Sequence, residues 1–154
     1  MTSCQKLNCF DKVILCHNND LSFKDCGVEE IKGFNQITSA INRSMALTSS
    51  DLNIFIMSGV QIRLSQVNKI LTFYKSNDEV ICPTTVYFDK EKKKLRYFKS
   101  FHDCSLNGLS FSKKIFTSVG DLDEKEDLEK SRILWYYRAL DKNTVFKSIV
   151  GLKI

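Results

Sequence analysis

The strongest periodic signal in the chain begins at Val28. Ile31, Phe34, Ile37, Ile41 and Met45 recur at intervals of three and four residues, which lines one face of an α-helix. Glu29 and Glu30 would sit in its first turn and Arg43 near its end, the order of charge that a helix dipole favours. Gly33 weakens the segment, at a cost of about 1 kcal/mol relative to alanine. "TSSD" at 48–51 ends it.

Elsewhere the pattern is one of short apolar runs broken by polar turns. "KVILC" and "LSFKDC" flank "HNND" and predict a β-hairpin with a four-residue loop. "LNIFIM" and "VQIRL" flank "SG", a second hairpin signal. "KILTFY" reads as a strand, with a helix through Ser65–Lys75 as its competitor. "EVICPTTVYF" and "KLRYFKSFHDC" flank "DKEKKK", the clearest hairpin of the chain. "LSFSKKIFTSV" adds a strand, and Asp121–Lys130 a short acidic helix. "RILWYYRAL" and "TVFKSIVGLKI" read as two paired strands around the turn "DKN". The former carries Ile133, Trp135 and Tyr137 on one face and Leu134, Tyr136 and Leu140 on the other. A central strand buried on both sides reads that way. Pro83 cannot donate to a ladder, so its strand belongs at an edge or starts after it.

Successive strands joined by short loops favour antiparallel pairing. The expected fold is therefore α+β and β-rich: an antiparallel barrel or sandwich of about eight to ten strands. One amphipathic helix in the N-terminal half and the short acidic helix complete it. Residues 1–154 have the length of one domain, enough to bury about two-thirds of the unfolded surface. A single proline and six glycines speak against a linker or disordered tail.

No apolar run approaches the roughly 18–20 residues of a spanning helix. Lys6, Asp11 and Lys12 interrupt the N-terminal stretch that would be the apolar core of a signal peptide. The expected setting is intracellular, in cytoplasm or nucleus and not secreted, with reduced thiols. Cys4, Cys9, Cys16 and Cys26 then read as buried thiols. Their gaps do not repeat the short paired spacers of a zinc site, and adjacent Cys16 and His17 would point to opposite faces of a strand. No metal and no cofactor is expected.

Three further groups test for chemistry. Asp121, Asp123, Glu124, Glu126, Asp127 and Glu129 crowd one stretch, but Lys125 and Glu126 break the calcium-loop pattern at the third ligand and at the glycine. A solvated helix start explains them. Asp89, Glu91 and Lys93 repeat the acid-then-E-x-K order of metal-dependent nucleases, yet all three fall in one charged loop rather than on rigid strand ends. That leaves a metal-dependent nuclease as a remote alternative. His102 and Cys104 on one strand face stand about 7 Å apart, too far for a nucleophile–base pair, and Asp103 points away. No catalytic centre is expected.

Charge changes the picture. The stretch Asp121–Lys130 holds six carboxylates against two lysines, a net −4, so the remainder of a +5 chain carries +9. Lys90, Lys92, Lys93, Lys94, Arg96 and Lys99 fall within ten residues. Alternation sets Leu95, Tyr97 and Phe101 on one face and Lys94, Arg96, Phe98 and His102 on the other. Val80, Cys82, Val86 and Phe88 then look inward and Tyr87 outward. Aromatic rings beside cations are how single-stranded nucleic acid is held without base readout. The predicted site is Tyr87, Lys90, Lys92, Lys93, Lys94, Arg96 and Phe98, and its partner a polyanion, single-stranded nucleic acid first. Lysines also guard edge hairpins against aggregation. The alternative function is a small viral or regulatory factor that docks a protein partner through an exposed edge or aromatic patch.

Overall fold

The computed structural model describes residues 10–20, 28–57, 60, 62–83, 86–89, 94–97 and 108–149, with backbone alone for 86–89 and 94–97. The elements are β1 (Ile14–Cys16), β2 (Glu29–Ile31), α1 (Ile37–Leu47), β3 (Asn53–Ile54), α2 (Leu64–Phe73), β4 (Glu79–Pro83), β5 (Val86–Asp89), β6 (Lys94–Tyr97), β7 (Ser110–Phe111), α3 (Lys113–Val119), α4 (Leu128–Asp141) and β8 (Val145–Ile149). A four-stranded mixed sheet runs in the order β3-β7-β4-β8. β7 is antiparallel to β3 and β4, while β8 is parallel to β4. β1–β2 and β5–β6 are separate two-stranded ladders.

The fold is α+β, but no barrel or sandwich of eight to ten strands forms among the described residues. The sheets are small and open, and three of the runs read as strands are helices. "KILTFY" lies in α2, so its helical competitor holds. "LSFSKKIFTSV" gives the two residues of β7 and then α3. Ser112 caps α3 by accepting a hydrogen bond from the Ile115 amide at 3.0 Å, and Gly120 ends it at φ 89°. "RILWYYRAL" lies in α4, whose buried stripe is Ser131, Trp135 and Ala139. Two of those three are small, so a search for large apolar residues passes over them. Leu134 and Leu140 of one expected strand face and Tyr137 of the other are exposed.

α1 also starts later than its stripe suggests. Glu29–Ile31 is a strand paired in parallel with β1. Gly33 takes φ 67°, and Asn18 clamps the turn from outside. Its Oδ1 accepts from the Gly33 and Phe34 amides at 3.1 and 3.3 Å, and its Nδ2 donates to the Phe34 carbonyl at 2.6 Å. β1 pairs with β2; "LSFKDC", the other arm of the expected N-terminal hairpin, lies outside the described residues. "VQIRL" forms no strand among the described residues, since Ile62 and Arg63 lead into α2 at Leu64. The acidic run precedes a helix rather than forming one. Asp127 caps α4 by accepting from the Lys130 amide at 2.8 Å.

β4 is an inner strand with all five residues buried, contrary to the edge expected from Pro83. The proline ends the strand beyond the reach of β7, which pairs with Val80 and Ile81. Helices on both faces explain the burial. Val80 and Cys82 join a core with Ile41 and Met45 of α1, Phe116 of α3 and Trp135 of α4. Ile81, one step out of phase, packs with Ile70 of α2 and Ile149 of β8 on the other side. Phe111 and Trp135 ring centroids lie 5.3 Å apart, and the indole N–H donates to the Gly120 carbonyl at 2.9 Å. Buried Trp135 needs that partner for its one polar atom. β8 forms as expected but pairs with β4, across Glu79↔Val145 to Pro83↔Ile149, rather than with "RILWYYRAL". No helix among the described residues is long and apolar enough to cross a membrane.

Candidate nucleic-acid interface

The basic segment contributes an antiparallel pair of strands. β5 and β6 are antiparallel, in the register Val86↔Tyr97, Tyr87↔Arg96, Phe88↔Leu95 and Asp89↔Lys94. Residues directly opposite share a face, and alternate residues return to it. Tyr87, Asp89, Lys94 and Arg96 therefore occupy one set of positions, and Val86, Phe88, Leu95 and Tyr97 the other. The register separates a polar set from an apolar one. Of the predicted site, Tyr87, Lys94 and Arg96 stand at neighbouring positions of one face. Lys90, Lys92, Lys93 and Phe98 lie outside the described residues, as do Glu91, His102 and Cys104. Asp89 ends β5.

Several other ionisable groups make contacts within the fold. Cys16 turns its Sγ to the Ala40 carbonyl at 3.8 Å, and burial pushes its thiol pKa up against the opposing pull of Arg43. His17 meets Glu30 at 3.3 Å, with both side chains largely buried. Cys82 is in the core. Cys4, Cys9 and Cys26 lie outside the described residues. Among the described residues no three His, Cys, Asp or Glu side chains converge to hold a metal.

A polar hub at one end of the four-stranded sheet escaped the sequence reading. Burial alone would raise the Glu79 carboxyl. Hydrogen bonds from Lys147 Nζ and the Lys75 amide outweigh it and hold the carboxyl below its usual value. Tyr74, pushed up mainly by burial, donates to the Asp51 carbonyl at 3.1 Å. Ser112 donates to the Asn77 carbonyl at 2.7 Å. These bonds join α2, β4, β8 and α3, and they are spent inside the molecule. The signal available in the sequence was Glu79 itself, a carboxylate opening the apolar run "EVIC".

Asn42 was missed as well. It stands beside Ile41 in the apolar stripe, and its Oδ1 accepts from the Leu122 amide at 2.9 Å. Its Nδ2 donates to the Leu122 carbonyl and to Glu124 Oε1, each at 2.9 Å. The acidic stretch is thus pinned to α1. Its carboxylates are divided among separate tasks, with Asp127 capping α4 and Glu126 pairing with Lys130 at 2.7 Å. An apolar crevice of about 300 Å³, its open mouth included, lies between Ile41, Phe55, Phe111, Leu122 and Trp135, with Arg132 at its wall. With the mouth counted it only reaches the lower bound of ligand pockets. It is a seam of the aromatic core.

No protein-family model matches the chain, and no curated protein matches it.

Proposed function

We propose that the protein is a non-enzymatic binding module for a polyanion, single-stranded nucleic acid first, and that the β5–β6 hairpin is its contact. The observation that carries the reading is the register: Tyr87 stands opposite Arg96, and Lys94 is two residues along the same face. One aromatic and two cations at adjacent positions supply stacking and phosphate neutralisation together. Lys90, Lys92, Lys93 and Phe98 add three further charges and a second ring in the same stretch of sequence. The proposal assumes an intracellular setting, in cytoplasm or nucleus.

The test is fluorescence anisotropy with a short labelled oligonucleotide at two salt concentrations. Replacing Lys92, Lys93 and Lys94 together by Gln should weaken binding to all sequences alike and flatten the salt slope by about two to three units. Tyr87→Ala or Phe98→Ala should cost about 1–3 kcal/mol on single strands and little on duplex. Absence of wild-type binding at low salt would overturn the proposal. Binding indifferent to salt would point instead to apolar docking of a protein partner.

A further inference from the structure

The outward face of α4 carries Lys130, Leu134, Tyr137 and Asp141 at intervals of four, three and four residues. On a helix that spacing makes a single seam. The opposite side, Ser131, Trp135 and Ala139, is the one turned into the core. All four seam residues are exposed, Leu134 at 42 % and Tyr137 at 57 %. Leu140, also 42 % exposed, and half-buried Ile133 flank the seam on one side. These apolar side chains offer area that a partner could cover, and the charges at the two ends of the seam identify that partner.

We propose that this seam is the interface of a homodimer, with two α4 helices packed antiparallel about a two-fold axis midway between Leu134 and Tyr137. The order of residues along the seam chooses the occupant. Under that axis Leu134 meets Tyr137 of the partner subunit, and Lys130 meets Asp141 of the partner subunit. Each contact occurs twice, as an isologous interface requires. Leu140 comes beside Ile133 of the partner subunit on the apolar flank. A parallel pairing would set lysine against lysine and aspartate against aspartate, so the charges reject it. The antiparallel arrangement also brings opposite ends of the two helix dipoles together. The present pairing of Lys130 with Glu126 is an exposed i,i+4 contact, of the kind worth only a few tenths of a kcal/mol, and it does not hold the lysine back. The seam spans about 17 Å by helical rise, which makes a small interface and a reversible dimer. The inference is independent of the hairpin.

Sedimentation velocity of the full chain, from about 1 µM to about 1 mM, covers the range of weak association. A monomer–dimer equilibrium is expected for the wild type. Y137E should abolish it with an unchanged circular dichroism melt. K130D alone sets an acid against Asp141 of the partner subunit and should weaken the dimer about tenfold. D141K alone should do the same, and K130D with D141K should restore wild-type association. Both reversals suit the helix dipole, so the fold is not at risk. A wild type that stays monomeric throughout would overturn the proposal. So would single reversals without effect, or a double reversal that fails to restore.

Discussion

β4 and β5 are separated by two residues, and they pair differently. β4 has β7 on one side, β8 on the other, helices above and below, and five buried residues. β5 pairs with β6 in a ladder of its own. A two-stranded ladder is marginal by itself in water, whereas a strand covered on both faces collects apolar burial on each. Under the proposed function, the contrast separates stability from recognition along a few residues of chain. Substitutions around β4 should be read in melting temperature, and substitutions in the hairpin in binding.

The largest effect should come from ending the chain after Lys142. That removes β8, the whole parallel ladder of β4 and the fully buried Ile149. The shortened protein should show no cooperative thermal transition; a sharp melt would mean that the sheet stands without β8. Next comes Trp135→Ala. The residue is 2 % exposed and packs against Phe111 and Phe116, so the loss should be about 3–5 kcal/mol in urea unfolding. A loss under about 1 kcal/mol would show that the seam collapses around the gap.

The third effect depends on pH. The folded Glu79 carboxyl lies below its usual 4.5, so the unfolded chain binds its proton more readily. Its contribution is complete above that usual value and is lost as pH falls through the folded value. Melting temperature should therefore drop on acidification, and Glu79→Gln should flatten that drop while lowering stability at neutral pH. Equal acid slopes in both proteins would assign the acid limb to other carboxylates. The smallest effect belongs to the hairpin. The lysine-to-Gln triple variant at 92–94 should change stability by less than about 0.5 kcal/mol, even as it reduces oligonucleotide binding. A variant that melts early would mean that the hairpin is part of the core, and the contrast with β4 would fail.

The β5–β6 pairing was more legible in the sequence than the four-stranded sheet. "DKEKKK" between two alternating runs fixes a local hairpin, because the partners are neighbours in the chain and the turn sets which residues face each other. Glu79, Asn42 and the hub around them were not legible. Their hydrogen-bond partners lie far off in sequence, Lys147 for Glu79 and Leu122 for Asn42, and nothing local announces those meetings.

The sequence by itself determined the elements whose buried face is made of large apolar residues. Ile41 and Met45 give the buried stripe of α1, and Val80 and Ile81 the apolar run of β4. It also determined the charge of the hairpin and the acidity of the stretch before α4. Tertiary structure alone decided the rest. α4 buries serine and alanine beside Trp135 where it packs with α3 and α1, so its inner face carries little hydrophobic signal and its outer face carries too much. Residues 29–31 left the helical stripe because β1 offered a ladder and Asn18 capped the turn that follows. β8 joined β4 in parallel because helices cover both faces of the sheet and leave that edge to it. Periodicity reports which residues one element can bury together; which surface covers them, and from which side, is settled by packing.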